Sequence, residues 1–192
     1  MAESPLRRLR IVGTSGSGKS HLAAQVAEIL GVARLELDAV FWDAGWVHRD
    51  IEESHALVRA FVAANPSGWV ADGNWTSRLK GLLDPGTPDG ADVFVWLDHP
   101  RRTVMRRVIA RTLRRGILRE ELWHGNRERV REWLRWEPER NIVRWAWTSH
   151  AAVRERMLQR IAEGVPVVRL SGQREVDSWL SSLSENRRSV GS

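Results

Sequence analysis

The stretch from Gly13 to Ser20, G-T-S-G-S-G-K-S, constrains this chain more than any other. It matches the pattern GxxxxGK[ST], and its flanks are those the pattern requires. The short apolar run Leu9, Arg10, Ile11, Val12 precedes it, and apolar residues recur at helical spacing after it, at Leu22, Val26, Ile29 and Leu30. A strand that turns through glycines into a helix points backbone N–H groups at a phosphate, at the positive end of the helix dipole. Gly13, Thr14, Ser15, Gly16, Ser17, Gly18, Lys19, Ser20 and His21 are therefore the expected nucleotide contacts. Lys19 would reach the β and γ phosphates and Ser20 would ligate Mg2+, so ATP with Mg2+ is the expected cofactor. A chance Gly/Ser-rich turn is the competing reading, and the matched flanks argue against it.

Beyond Gly31, which stops the first helix, Leu35 to Leu37 reads as a second strand ending at Asp38. A helix fits Ile51 to Ala64, with Leu57, Val58, Phe61 and Val62 facing inward, and Trp69 to Ala71 reads as a strand that delivers Asp72. After the turn-rich stretch Asp84 to Gly90, the continuous apolar run Val93 to Leu97 suits a strand buried on both faces, with Asp98 at its end. Met105, Ile109 and Leu113, with Val104 and Val108 beside them, mark a basic amphipathic helix. Val165 to Leu170 is the last strand, and Val176, Leu180 and Leu183 mark the last helix. This alternation predicts an α/β fold with a parallel sheet and ligands bound beyond the carboxyl ends of the strands. Nothing divides the 192 residues, so a single domain over 1–184 is expected, with the polar end 185–192 as a disordered tail.

Charge and composition narrow the chemistry. The 30 basic against 24 acidic residues give a net charge of +6, which favours anionic partners. Two of the basic residues, Lys19 and Lys80, are lysines and the other 28 are arginines, suited to bidentate grips on phosphate and carboxylate. Zero cysteines exclude disulfides, thiolate metal sites and cysteine nucleophiles. No run approaches a membrane span and no long apolar stretch opens the chain, so a cytoplasmic protein without a membrane partner is expected. There is no NKxD guanine-reading motif. Leu170 to Gln173, L-S-G-Q, resembles the signature of transporter ATPases, but too little chain follows for their next strand; Ser171 and Gly172 fit backbone contacts near an adenine instead. Phosphoryl transfer needs groups that hold the metal and align the acceptor. Ser20 and Asp72 are the candidate metal ligands, Lys19, Asp72 and Asp38 the candidate catalytic residues, and Asp38, Trp42, Trp46, Asp72 and Asn74 the candidate substrate contacts. Capping or turn roles are the alternative for both aspartates.

Three segments that follow the loop carry a resemblance: ELDAVFWDAGW (Glu36 to Trp46), WVADGNW (Trp69 to Trp75) and VFVWLDHPRR (Val93 to Arg102). In this order they resemble the bacterial DNA topology modulation proteins, relatives of adenylate kinase and shikimate kinase. The resemblance spans about Leu9 to Arg115 and, more loosely, the Trp-rich stretch to His150. It implies a three-layer P-loop fold of the nucleoside monophosphate kinase type, with a five-stranded parallel sheet and a helical lid region. It likens Asp72-Gly73 to the strand-end Asp-Gly of adenylate kinases and Asp38 to the substrate-side aspartate of shikimate-type kinases. Trp75 departs from the family's usual Tyr.

From Arg101 to Arg160 there are 17 arginines and 7 acids, a net of +10. Arg107, Arg111, Arg114 and Arg115 fall about one helical turn apart, as a lid closing on polyphosphate would need. Arg107 and Arg111 are the expected catalytic arginines, and Arg111 and Arg115 the expected nucleotide contacts. The alternative is a solvated basic face paired with Glu128, Glu132 and Glu139. Trp123, Trp133, Trp136, Trp145 and Trp147 could stack bases of a single-stranded nucleic acid, but core packing is the favoured reading. The sequence thus points to an adenylate kinase-like, ATP-dependent phosphotransferase that moves the γ-phosphoryl group to a nucleotide or other small acceptor. A nucleotide-regulated nucleic-acid-binding protein and a nucleotide-binding scaffold without turnover are the alternatives.

Overall fold

The computed structural model describes residues 6–118, 120–126 and 142–190. Strand β1 (Arg8–Gly13) runs into the glycine loop, and helix α1 (Lys19–Leu30) leaves it, burying Leu22, Ala23, Val26 and Ala27 along one face. Then come β2 (Ala33–Glu36), the short helix α2 (Leu37–Phe41), and a small hairpin of β3 (Trp42–Asp43) and β4 (Val47–His48). Helix α3 (Ile51–Ala64) starts on Asp50, whose carboxylate accepts the N–H groups of Glu52 and Glu53 at 2.9 and 3.1 Å. β5 (Trp69–Asp72), α4 (Thr76–Leu79), β6 (Val93–Leu97) and α5 (Arg101–Leu118) follow, and then α6 (Ile142–Ala162), β7 (Val167–Leu170) and α7 (Gln173–Val190).

The five long strands form one parallel sheet in the order β2-β5-β1-β6-β7. Helices α1 and α7 cover one face, where Leu9, Ile11, Val95 and Leu97 meet Leu22, Val26, Val176 and Leu183. On the other face Trp69 and Ala71 pack with Val58 and Val62 of α3, and Val12, Phe94 and Trp96 with Val153 and Met157 of α6. The parallel α/β sheet is the one that the alternation of elements predicts, and its five strands in three layers are what the resemblance implies. Since β1 lies between β5 and β6, the loop opens at the central crevice where ligands of such sheets bind.

Several expectations shift in the structure. The second strand ends at Glu36, and Asp38 lies in the first turn of α2 instead of closing the strand. Leu57 is 42% exposed, because the buried face of α3 is Ser54, His55, Val58 and Val62. In α5 the inner residues are Val104, Val108 and Thr112, which leaves Ile109 and Leu113 each 44% exposed. In α6 the inward positions are Ala146, Val153 and Met157, so Trp145 and Trp147 flank that face and are about half exposed instead of core. The polar end expected as a tail from residue 185 continues α7 to Val190, where no glycine or proline interrupts the helix and Arg187 donates to the carbonyl of Ile29. Trp133, Trp136, Glu128, Glu132 and Glu139 lie outside the described residues.

A charge sits at the centre of the sheet. Arg10 in β1 is 1% exposed and pairs with Asp84, whose other oxygen accepts from Arg160 of α6 at 2.7 Å. The Arg10 guanidinium also lies over the Phe94 ring, 5.2 Å from its centroid. Burial lowers the Arg10 pKa to about 10, against the attraction of Asp84. Asp84 thus ties β1, the connection before β6, and α6 into one unit. Asp84→Asn should leave a buried guanidinium without its counter-charge and cost about 3–5 kcal/mol, a fall in Tm of roughly 6–20 °C for a chain of this size. Thermal and urea unfolding check this; a loss under about 1 kcal/mol would show that the pair does not hold the layers together.

Candidate active site

The loop between β1 and α1 takes its shape from glycines at positive φ, and at Gly16 there is no room for a side chain. Gly16 has a φ of +83°, and a Cβ there would lie 2.2 Å from Val108 Cγ2, so its lack of a side chain lets α5 lie directly against the loop. Gly18, with φ +99°, precedes α1 and faces a terminal nitrogen of Arg107. Asn74 fixes the loop's entry. Its amide nitrogen donates to the Gly13 carbonyl at 2.7 Å, and its carbonyl oxygen accepts the Gly13 N–H at 3.2 Å. Both ends of the Asn74 amide thus bond to the loop, a role beside the substrate contact that the sequence suggested.

Lys19 folds back so that its ammonium donates to the Thr14 carbonyl at 3.2 Å. The residue as a whole is half-buried, but its charged end is enclosed, and desolvation lowers its pKa to about 8. Asp38 and Asp72 oppose that shift and Arg111 adds to it. Ser20 Oγ donates to Asp72 Oδ2 at 2.6 Å. This hydroxyl–carboxylate pair at the mouth of the loop is an oxygen set of the kind Mg2+ takes, so the residues fit the metal the motif implies. His21 is exposed on the first turn of α1.

On the other side of the mouth stands Asp38. Its Oδ1 accepts the Trp75 indole N–H at 2.6 Å. Burial raises the Asp38 pKa, while that hydrogen bond and Lys19 pull it down. Trp75 stacks on Phe41 with ring centroids 4.9 Å apart, and meets Trp42 edge-on at 5.4 Å. Trp42 in turn meets Trp46 at 5.6 Å and His48 at 4.3 Å. The expected residues Trp42 and Trp46 therefore belong to an aromatic wall beside Asp38, and Trp75 and His48 join it. Asn126 holds that wall by accepting the Trp46 N–H at 3.0 Å and donating to the Asp43 carbonyl at 2.8 Å.

Of the four arginines of α5 expected in the lid, two reach the loop. Arg107 donates to the Ser17 carbonyl at 3.1 Å and Arg111 to Ser15 Oγ at 3.0 Å. Arg114 and Arg115 instead pair with Glu120, at 3.1 and 3.6 Å. Just before α7 the Ser171 N–H donates to the Glu175 carboxylate at 2.7 Å, a bond that caps the start of the helix. Asp98 is bound by Arg169 and Arg154 and takes no part in the site. The sequence reading missed Arg34, whose Nε donates to Asp72 Oδ1 at 3.1 Å, and Glu36, which accepts the Trp123 indole at 2.8 Å. Their partners are far away in sequence, and only the carboxyl-end position of Glu36 in β2 signalled it.

No family model and no curated protein matches the chain. Solved structures do share its fold. A shikimate kinase from Acinetobacter baumannii in complex with shikimate superposes with a TM-score of 0.56 at 15% identity, covering 96% of this chain and 94% of that one. A shikimate kinase from Bacteroides thetaiotaomicron gives 0.51 at 12% identity over 95% and 99%. A deoxyadenosine kinase from M. mycoides, with products bound, gives 0.51 at 13% identity over 95% and 99%. The chain therefore has the P-loop kinase fold.

The lowered pKa of Lys19 has a measurable sign. In the empty loop the amine gives up its proton near pH 8, whereas a bound polyphosphate favours the ammonium. Nucleotide binding should thus take up a proton, little at pH 6.5 and most between about pH 8 and 9.5. Calorimetry in buffers of different ionisation enthalpy measures the uptake, and Lys19→Arg should abolish it. For the unliganded protein the same shift means that stability rises as pH climbs from about 8 towards 10.5, since the folded state sheds the proton first.

Proposed function

We propose that this protein is a Mg-ATP-dependent small-molecule kinase that transfers the γ-phosphoryl group to a nucleotide or other small acceptor. The observation that carries the reading is the convergence of four kinds of group at the mouth of one loop. These are the ammonium of Lys19, the Ser20–Asp72 oxygen pair, the half-buried Asp38 beside an aromatic wall, and the guanidiniums of Arg107 and Arg111. Lys19 and the loop N–H groups orient the phosphates. Ser20 and Asp72 hold Mg2+, which supplies charge neutralisation to the phosphates when bound. Asp38, made more basic by burial, takes the proton of the acceptor hydroxyl, while Trp42, Trp46 and Trp75 position the acceptor's body. Arg107 and Arg111 turn from the loop's own oxygens to the charge on the moving phosphoryl group, with Arg115, Ser171 and Gly172 flanking the nucleotide. The resemblance to the DNA topology modulation proteins supports a kinase of adenylate kinase type, and a cytoplasmic setting, where ATP is abundant, goes with it.

One observation favours the nucleic-acid reading. Trp145 and Trp147 are 47% and 53% exposed, and Arg101 sits over the Trp147 ring, 4.8 Å from its centroid. The two readings separate experimentally. The protein should be incubated with Mg-ATP and pooled nucleosides, nucleotides, sugars and acidic metabolites, and its affinity for single-stranded DNA followed across a salt series. The kinase reading expects one phosphorylated pool, a fall in turnover of about 10²- to 10⁴-fold in Asp38→Asn, and a larger loss at Arg107 or Arg111 than at Arg101. Saturating Mg-ATP should raise the wild-type Tm by roughly 5–10 °C, and Lys19→Ala should lose most of that shift. If no pool is phosphorylated, and Arg101→Ala and Trp147→Ala each weaken DNA binding with a log–log salt slope lowered by about 0.7–0.9 for the arginine, the nucleic-acid reading replaces it.

A further inference from the structure

We propose that Arg34 is a positioning residue for Asp72, and that through Glu36 and Trp123 it ties the orientation of that carboxylate to the docking of the segment that follows α5. The inference rests on the kinase reading, because it concerns how the Ser20–Asp72 pair receives Mg2+. β2 is an edge strand whose Arg34 and Glu36 are registered against Val70 and Asp72 of β5, so both project on the same face as Asp72. Asp72 is 4% exposed and both of its oxygens are engaged: Oδ2 by the Ser20 hydroxyl at 2.6 Å, and Oδ1 by Arg34 Nε at 3.1 Å, with a terminal nitrogen of Arg34 also 3.1 Å away. A carboxylate held at both ends cannot rotate about its last bond, which fixes the oxygen it presents at the mouth of the loop. The guanidinium is itself held from behind, since its other terminal nitrogen lies 2.9 Å from Glu36 Oε1.

Glu36 continues the chain of contacts, because its Oε2 accepts the Trp123 indole N–H at 2.8 Å. Trp123 belongs to the segment that Glu120 links to Arg114 and Arg115 of α5. Asn126 and His124 of the same segment bond to the Asp43 and Ala39 carbonyls on the acceptor side. A path therefore runs from the arginine-bearing helix to the metal-side carboxylate: Glu120, along the chain to Trp123, then Glu36, Arg34, Asp72 and Ser20. When the segment is seated, Arg34 is braced and Asp72 is aligned; when it lifts, Glu36 loses a partner and Arg34 one side of its support.

The test measures ATP affinity by calorimetry with EDTA and with excess Mg2+, and takes the ratio of the two. Arg34→Gln should keep the affinity in EDTA and lose about 10- to 100-fold of the Mg2+-dependent gain, the usual size of an effect on a ligand's orienting partner. Arg34→Lys, which keeps the charge without the fork, should recover part of it. Glu36→Gln and Trp123→Phe should each lower the ratio by about two- to tenfold, the range of one hydrogen bond. An unchanged ratio in Arg34→Gln would overturn the role of Arg34, as would a parallel fall of both affinities that tracks a loss of Tm. Should Arg34→Gln not fold, the Glu36 and Trp123 variants decide, and wild-type ratios in both overturn the inference. If the wild-type protein gains no ATP affinity from Mg2+, the kinase reading itself fails, an outcome distinct from a wild-type gain that the variants leave untouched.

Discussion

Because β1 is hydrogen-bonded on both sides, to β5 and to β6, its carboxyl end is the point from which the chain departs first to one half of the sheet and later to the other. Parallel pairing brings the carboxyl ends of β2, β5 and β6 to the same edge, and the residues just beyond them converge without any side chain having to be long. Asp72 ends β5, Asn74 follows it by two residues, and Asp38 follows β2. The buried Arg10–Asp84 pair lies under this edge and carries Arg160 of α6 with it, so the support beneath the loop is electrostatic as well as apolar.

The site is asymmetric in a way that suits transfer between two partners. On the loop side stand three cations, Lys19, Arg107 and Arg111, beside the Ser20–Asp72 pair. On the other side the described groups are a carboxylate and indole and imidazole rings, and the cations there are committed, Arg49 to Asp43 and Arg78 to the Arg49 carbonyl. On the kinase reading a polyanion would be drawn to the first side, and a proton leaving an acceptor to the second. Segment 120–126 touches both, through Glu120 to α5 and through Asn126 to the aromatic wall.

What the sequence made legible is what is local. The glycine spacing, the strand before it and the helix after it specify the loop within about twenty residues, and Asp72 is found because a buried strand must end somewhere polar. Contacts between distant segments were not legible. Arg34 reaches Asp72 across 38 positions and Trp123 reaches Glu36 across 87, and neither residue type announces its partner. Helix faces were read too wide. In α5 the close approach to Gly16 buries Val108 and leaves Ile109 exposed, and in α3 Val58 and Val62 are buried as expected while Leu57 is not, because the deciding contact belongs to another element. The exposed Trp145 and Trp147 have the same cause, since residue type suggested burial and the small Ala146 between them took the inner position.

The near absence of lysine gives the depressed proton affinity of Lys19 a chemical meaning of its own. An amine reacts with electrophiles only in its free-base form, and Lys19 reaches that form from about pH 8. A polyphosphate seated in the loop would return it to the ammonium, so occupancy of the loop and reactivity of the amine oppose one another. Lys80 stands exposed in the left-handed conformation at the end of α4. Acylation of Lys19 would therefore report on the loop itself, slowing as an anion fills it.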